Sequence, residues 1–315
     1  MPEVLISTSG ITREEWLQER RKGIGGSDAA KVLGVSRWGG PLSVYLEKKG
    51  LYVPEDPGEP AYWGTVLEDV VAREFEKRSG LRVQRQNKIF THPDYPWMLA
   101  NIDRRIVGQN KGLECKTASN FMGDEWEGDE LPDAYYIQIQ HYIAVMGWES
   151  CWVACLIGGQ RYVQKEVQRD NDIIKTIIEK EREFWEDHFL KDVPPTVSIY
   201  DNPNALWPEQ VEDDLVPDDD GTAFEVAKEY AAVKVQLKAL EDEEKRLSGI
   251  LKARTGEHAG IAGVCTWKQT KDRASVNWQN IVLEMGADKE MIARHTEIKP
   301  GYRVLRLDKA LTKGE

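Results

Sequence analysis

Apolar positions in this chain follow two periods, one of three to four residues and one of two, and the switches between them mark out its elements. Thr12, followed three residues later by Glu15, forms a capping box ahead of "REEWLQERR" and predicts a first helix. Pro41 opens and Gly50 closes a second helix over "LSVYLEKK". "WGTVLEDVVAREFEKRSG" predicts a long amphipathic helix with Val66, Val70, Val71 and Phe75 on one side and Gly80 as its stop. Three strands are expected next, "LRVQRQNKIF", "WMLANIDRRIV" and "GLECKTA". "AYYIQIQHYIAVM" then reads as a helix, and "SCWVACLIGG" with "RYVQKEVQR" as a hairpin turning at Gly158 and Gly159. "DIIKTIIEKEREFWEDHF" is a closing helix before Pro194-Pro195.

Beyond this point the pattern changes. Residues 201–221 are rich in Pro and Asp and read as an acidic linker. A long helix is expected over roughly 222 to 254, its apolar residues (Phe224, Ala227, Tyr230, Ala231, Leu237, Leu240, Leu247, Leu251) helical in spacing but imperfect as heptads. "VCTWKQT" and "YRVLRL" read as strands of a small module after it. The organisation expected is an α/β domain over 1–200, a linker over 201–221, and a long helix with a small α+β module over 222–315.

Composition narrows the function classes. Hydrophobic residues at 41% with 30% charged residues describe a soluble globular chain. No apolar run approaches the roughly 18 residues of a membrane span, and the start "MPEVLISTSG" lacks the pattern of a signal peptide, so a cytoplasmic protein is expected. The four cysteines form no CxxC pair, and Cys151 and Cys155 share one face of a predicted strand as small hydrophobes. The net charge of −12 argues against a generally basic nucleic-acid coat, but "GDEWEGDELPD" and "EQVEDDLVPDDD" hold much of the acidity, while residues 1–50 carry more Lys and Arg than Asp and Glu.

Chemistry concentrates in "NIDRRIVGQNKGLECKT". In a strand, Glu114 and Lys116 point to one face and Cys115 to the other. Charged residues on the inner face of an apolar sheet are costly unless paired or bound to something. A turn around Gly108 and Gly112 lays the strands antiparallel and brings Asp103, at the end of the preceding strand, close to Glu114. Two carboxylates, a lysine and a main-chain carbonyl suit a hard divalent cation such as magnesium. The pattern alone also fits a surface salt bridge, and Glu68 alone reads as a solvated helix residue beside Asp69 and Glu74. A second stretch, "RRKGIGGSDAAKVLG", sets glycines and a serine before a helix, as in phosphate-binding loops, yet it matches neither a Walker loop nor a dinucleotide fingerprint.

The order of a helix bearing Glu68, a strand with Asp103 and a strand with "LECK" resembles the PD-(D/E)XK nuclease superfamily. "WLQERRKGIGGSDAAKVLGVSRW" and "YYIQIQHYIAVMG" narrow the resemblance to the YqaJ-like viral recombinase group, which includes the lambda exonuclease, over residues 12 to 190. It implies a restriction-endonuclease-like core with a mixed central sheet flanked by helices, plus a helical C-terminal appendage. By the same resemblance Asp103, Glu114 and the Cys115 carbonyl bind metal, and Lys116 orients or deprotonates the attacking water. Glu68 helps to hold a second ion or its waters, and Gln138 stands beside the site. Tyr142 lies one turn beyond Gln138, although helix packing accounts equally for Tyr135 and Tyr142. Arg20 and Ser27 match the family's pocket for a terminal 5′-phosphate, with Arg21 a rival for Arg20. The alternative from the residues alone is that Ser27 caps its helix and Arg20 pairs with Glu15 or Glu19.

The activity so implied is a magnesium-dependent 5′-to-3′ exonuclease with two metal ions, manganese substituting. It would act on double-stranded DNA ends and leave 3′ single strands for recombination by annealing. The partners implied are a single-strand annealing protein and further copies of the chain, a trimer by resemblance, in the cytoplasm of a bacterial host as a phage or prophage protein. A structure- or site-specific endonuclease on the same core, and a non-catalytic DNA-binding scaffold, are the alternatives.

Overall fold

The computed structural model describes residues 2–52, 58–210, 215–272, 275, 278–286 and 288–296. The chain divides into two compact units, residues 1–206 and 207–315. The first unit begins with β1 (Glu3–Ser7), α1 (Arg13–Arg20), β2 (Ile24–Gly25), α2 (Gly26–Val32), α3 (Pro41–Lys49) and α4 (Gly58–Ser79). It continues with β3 (Val83–Arg85), β4 (Lys88–Thr91), β5 (Met98–Ala100), β6 (Arg104–Ile106), β7 (Gly112–Ala118) and α5 (Asp133–Met146). A hairpin of β8 (Ser150–Ile157) and β9 (Arg161–Gln168) follows, then α6 (Asn171–Glu183), a π turn over Phe184–Phe189, and α7 (Pro203–Leu206). The expected capping box is present at α1, where Glu15 N donates to Thr12 Oγ1 at 3.2 Å and Thr12 N donates to Glu15 Oε2 at 2.7 Å.

Five strands form a mixed sheet in the order β3-β6-β7-β8-β9, with β7 and β8 parallel and the other pairs antiparallel. The parallel pair is joined through α5, as a parallel connection requires a crossover. The remaining strands form a second sheet, β1-β4-β5-β2. Two expected strands are each broken in two. "LRVQRQNKIF" becomes β3 and β4, and "WMLANIDRRIV" becomes β5 and β6, with the halves in different sheets. The breaks lie side by side, for Gln86 N donates to Asp103 O at 3.1 Å. Alternation cannot show a change of sheet, since the apolar period of two runs through it.

Helix α4 packs on one face of the five-stranded sheet through Val71, Ala72 and Phe75 against Ile106, Leu113 and Ala154. Val66 and Val70, expected on that same side, are 45% and 49% exposed; the helix instead turns Glu68 and Asp69 toward Arg104. On the other face lies α5, buried from Ile137 to Met146 and packed with Val153, Cys155 and Ile157 of β8. Cys151 and Cys155 sit in this core as expected. A helix buried so fully must satisfy its polar side chains internally. Gln140 does so by donating to Gln168 O at 2.8 Å and accepting from Asp170 N at 3.0 Å.

The stretch expected to begin a solvated linker at residue 201 instead anchors α3. Asp201 is buried, and its Oδ1 accepts from Gly40 N at 3.1 Å and Ser43 N at 2.9 Å, capping the helix start from 158 residues away. The second unit contains α8 (Thr222–Thr255), the short pair β10 (Gly260–Ile261) and β11 (Cys265–Thr266), α9 (Trp278–Glu284) and α10 (Lys289–Arg294). The expected strand "VCTWKQT" reduces to Cys265–Thr266, and "YRVLRL" lies outside the described residues. Among the described residues no helix is long and apolar enough to cross a membrane.

Candidate active site

The pleat of β7 turns Leu113 and Cys115 toward α4, and Glu114 and Lys116 toward α5, as the alternation predicts. Lys116 Nζ donates to Glu114 Oε1 at 2.7 Å and to Gln138 Oε1 at 3.0 Å. Gln138 Nε2 donates to the same Glu114 oxygen at 2.9 Å and to Tyr142 Oη at 3.1 Å. Glu114 Oε1 is thus fully engaged, while its Oε2 is buried with no partner. The Lys116 ammonium also lies 5.1 Å from the Tyr135 ring centroid, and the Tyr135 ring lies tilted against that of Trp126 with centroids 5.4 Å apart.

Asp103 occupies the bend between β5 and β6, where the chain changes sheet, and its Oδ2 accepts from Cys115 N at 2.8 Å. Burial first, and the Glu114 carboxylate next, push its carboxyl well above the usual carboxylate range. Burial alone would depress the Lys116 ammonium, but the Glu114 and Asp103 carboxylates outweigh it and raise its pKa. Lys116 is therefore a cation here. Glu68 reaches this cluster from α4 but is held by Arg104, and by Arg85 at 3.2 Å; Arg104 also bonds Asp69 at 2.6 Å. The Cys115 thiol, pushed up by burial and by Asp103, is inert, which leaves its main-chain carbonyl as the relevant group.

These donors fit magnesium. The half-buried Asp103 carboxylate crowds the buried Glu114 carboxylate, which has an oxygen that none of the described residues satisfies, and all the donors are hard oxygens. Among the described residues no group of three or more His, Cys, Asp and Glu side chains converges as a metal cage. A site made of two carboxylates and a carbonyl suits an ion that keeps water and phosphate for its other positions.

The second stretch of interest forms a separate pocket. Arg20, Ser27 and Tyr142, with Trp16, Ile89 and Asn101, line a cavity of about 90 Å³. Arg20 lies 4.8 Å from the Trp16 ring centroid, and its Nη2 donates to Ser27 Oγ at 3.2 Å and to Asp28 Oδ1 at 3.1 Å. Asp28 is buried and also takes Lys48 Nζ at 2.6 Å, with the lysine side chain wholly enclosed. Burial would raise Asp28, yet Lys48 and Arg20 hold it far below the usual carboxylate range. Neither Glu15 nor Glu19 is the partner of Arg20; Glu19 pairs with Lys22 at 2.7 Å. Ser27 does not cap α2, which starts at Gly26; Asp28 does so by accepting from Gly25 N at 3.1 Å. The glycines serve packing, because a side chain at Gly26 would strike the Tyr142 ring and one at Gly23 would strike Trp97 O. Arg21 is placed elsewhere, with its guanidinium against Gly50.

The two centres meet at Tyr142, whose hydroxyl bonds Gln138 and whose ring lines the pocket. Below them His141 and Glu181, both fully buried, share a bond of 2.7 Å, and His141 Nε2 donates to Leu99 O at 2.9 Å under the pocket. Sequence reasoning missed Asp28, Lys48 and Arg104. Asp28 had a local signal, an acidic residue at the third position after a glycine helix start; Lys48 and Arg104 had none. A larger cleft, about 960 Å³, shares no residue with either centre, and its lining of Asp129, Glu130, Asp133 and Glu166 opposes a phosphodiester.

Residues 15–149 match the family model of the YqaJ-like viral recombinase domain. The uncharacterized protein YqaJ of Bacillus subtilis (strain 168) is 41% identical over 256 residues, 79% of this chain and 80% of that protein. The crystal structure of an alkaline exonuclease from Laribacter hongkongensis is similar with a TM-score of 0.50 at 17% identity, covering 57% of this chain and 94% of that one. A phage-related exonuclease from Haemophilus somnus 129PT matches at a TM-score of 0.44 and 13% identity, over 54% of this chain and 96% of that one. The fold is mixed α/β of the PD-(D/E)XK type. The identity to YqaJ across most of both chains, with the domain match over the elements that build the two centres, shows that this chain belongs to the YqaJ-like viral recombinase family.

Proposed function

We propose that the chain is a magnesium-dependent exonuclease that degrades one strand of linear double-stranded DNA from its 5′ end and leaves a 3′ single strand. The observation that carries this reading is the Asp103–Glu114 pair, a half-buried carboxylate crowded against a buried one that has an orphaned oxygen, beside the Lys116 ammonium. Membership of a recombinase family supports it, as does a fold shared with a protein named as an alkaline exonuclease.

Asp103, Glu114 and the Cys115 carbonyl would hold the metal, with Glu68 acting through water because arginines occupy its carboxylate. Two magnesium ions, or manganese in their place, would supply the positive charge that offsets a phosphodiester and eases formation of hydroxide. Gln138 locks Glu114 and Lys116 into one geometry by bonding both. Lys116, kept cationic by the carboxylates, orients the attacking water and faces the charge that grows on the phosphate. Arg20 and Ser27 receive the terminal 5′-phosphate, with the guanidinium already aimed by Asp28 and Trp16. Tyr142 ties that pocket to the carboxylates, so end recognition and cleavage share one rigid frame. The 3′ strand would pass to a single-strand annealing protein, and the enzyme would work as a homo-oligomer.

The test is digestion of a linear duplex labelled at the 5′ or the 3′ end of one strand, beside a closed circular duplex. Magnesium-dependent early release of the 5′ label, with the circle intact, is expected. Early release of the 3′ label, or cutting of the circle at the same rate, overturns the polarity or the exonuclease reading.

A further inference from the structure

Helix α8 runs unbroken for 34 residues, about 51 Å at the usual rise. Thr255, its last residue, is the buried one. Counted from Val226, its apolar positions step by four and three without interruption through Tyr230, Val233, Leu237 and Leu240. The same alternation continues through Glu244, Leu247 and Leu251. Tyr230, Leu237, Leu240, Leu247 and Leu251 of the expected stripe lie on this seam, Phe224, Ala227 and Ala231 lie off it, and Glu244 is its polar interruption. Every apolar member of the seam lies open, from 40% exposed at Tyr230 and Leu251 to 67% at Leu240.

A seam of period 3.5 is the geometry by which one helix packs along another, with core residues as knobs between those of the facing helix. Pairing of this kind would remove the stripe from water. The seam is also complementary to itself. In an antiparallel pair centred between Leu237 and Leu240, Val226 meets Leu251 of the second copy, Tyr230 meets Leu247, and Leu237 meets Leu240. The same register sets Lys234 beside Glu241 twice, by the two-fold symmetry, and places Glu244 opposite Val233. A parallel, in-register pair would instead stack Glu244 on its own copy, two carboxylates facing each other in an apolar seam.

We propose that α8 is a self-association element, pairing antiparallel with α8 of a second copy of this chain along the Val226–Leu251 seam. The inference does not depend on any activity of the first unit.

Sedimentation equilibrium of the 315-residue chain across a wide concentration range tests it. The wild type should self-associate. Leu237→Glu with Leu240→Glu should weaken association by at least about a hundredfold, because each puts a charge in the seam. Glutamate is a good helix former, and far-ultraviolet circular dichroism checks that the helix remains. Val235, 70% exposed but on the far side of the helix, is the control: Val235→Glu should leave the association constant unchanged. Glu244→Leu should tighten association about tenfold or more by filling the polar gap. A monomeric wild type overturns the proposal. So does a self-association that the seam variants leave intact, or one that Val235→Glu weakens as much as they do. Cysteines placed at Val226 and Leu251 should cross-link between copies under oxidation, whereas cross-linking of Val226 to Val226 would overturn the antiparallel register.

Discussion

The two polar centres of the first unit are both ionic and each has a buried carboxylate, Glu114 in one and Asp28 in the other, yet their imbalances are opposite. At β7, two carboxylates face one ammonium, and a carboxylate oxygen is left without a partner. At the α1–α3 junction, one carboxylate takes two cations, and every oxygen of Asp28 is bonded. Taking charges out of water is expensive, and an unpaired buried polar group asks for an explanation, of which a bound ion or water is one. The first cluster is short of positive charge and calls for a cation. The second holds a guanidinium at the wall of a small cavity, beside a hydroxyl, and calls for an anion. Glu47, close enough to act on Arg20 and Lys48, tempers the second excess without removing it. The contrast teaches that the ligand of a buried polar site is written in its residual charge, not in its number of ion pairs.

Mutations that neutralise one carboxylate in each cluster should have opposite effects. Glu114→Gln or Asp103→Asn should lower magnesium-dependent cleavage by at least about a thousandfold in single-turnover assays, since both carboxylates serve one site. The same changes should raise the melting temperature of the metal-free protein, because they relieve like charges buried together. Asp28→Asn should instead destabilise the fold by about 3–5 kcal/mol in a denaturant titration, leaving Lys48 enclosed without its counter-ion. Adding Lys48→Met to that variant should recover much of the loss. A shift in the same direction for the Glu114 and Asp28 variants would break the comparison.

Two smaller effects sharpen it. Arg20→Ala should reduce the preference for a 5′-phosphate over a 5′-hydroxyl end by about ten- to a hundredfold, the worth of one charge-assisted hydrogen bond, while cleavage of hydroxyl ends persists. Equal loss on both substrates would remove the anion assignment. The smallest effect concerns the His141–Glu181 pair beneath the pocket. Burial opposes the His141 cation, but Glu181 outweighs it and raises the imidazole, while burial raises Glu181. Both shifts are upward, so both contributions fall with rising pH: that of Glu181 is lost from the ordinary carboxylate value of about 4.5 upward, and that of His141 is present below about 6.5 and lost as pH rises through its folded value. The wild-type melting temperature should therefore fall with rising pH above neutrality, and His141→Gln should flatten that slope. A steeper slope in the variant would contradict the assignment.

Much of the site could be read from one strand. Glu114 and Lys116 had to share a face because a strand alternates, and Gln138 and Tyr142 because a helix returns every four residues. Arg20 and Ser27 could be set together only through the family resemblance, and the structure gives them a direct bond that no local rule predicts. Lys48 and Arg104 went unseen because each meets its partners from a distant element, 20 residues away for Lys48 and Asp28, and 36 for Arg104 and Glu68. A lysine near the end of one helix looks in sequence like any other solvated cation. The exposed side of α4 was misread for a similar reason, since the spacing of Val66 and Val70 cannot tell which arc of a helix meets the sheet.

Sequence alone determined the elements and most of their ends, because capping residues, glycine stops and apolar periods act within a few residues of where they stand. It also determined the faces that Glu114, Lys116 and the α8 seam present, because those follow from the geometry of a single strand or helix. The tertiary structure alone decided where two strands change sheet, and so placed Asp103 in the bend that frees its carboxylate for Glu114 and the Cys115 amide. It alone decided that Asp28 and Lys48 are buried together and that Asp201 caps α3. These are long-range pairings of charge. Burial sets their energy, and burial belongs to the packed chain, not to any segment of it.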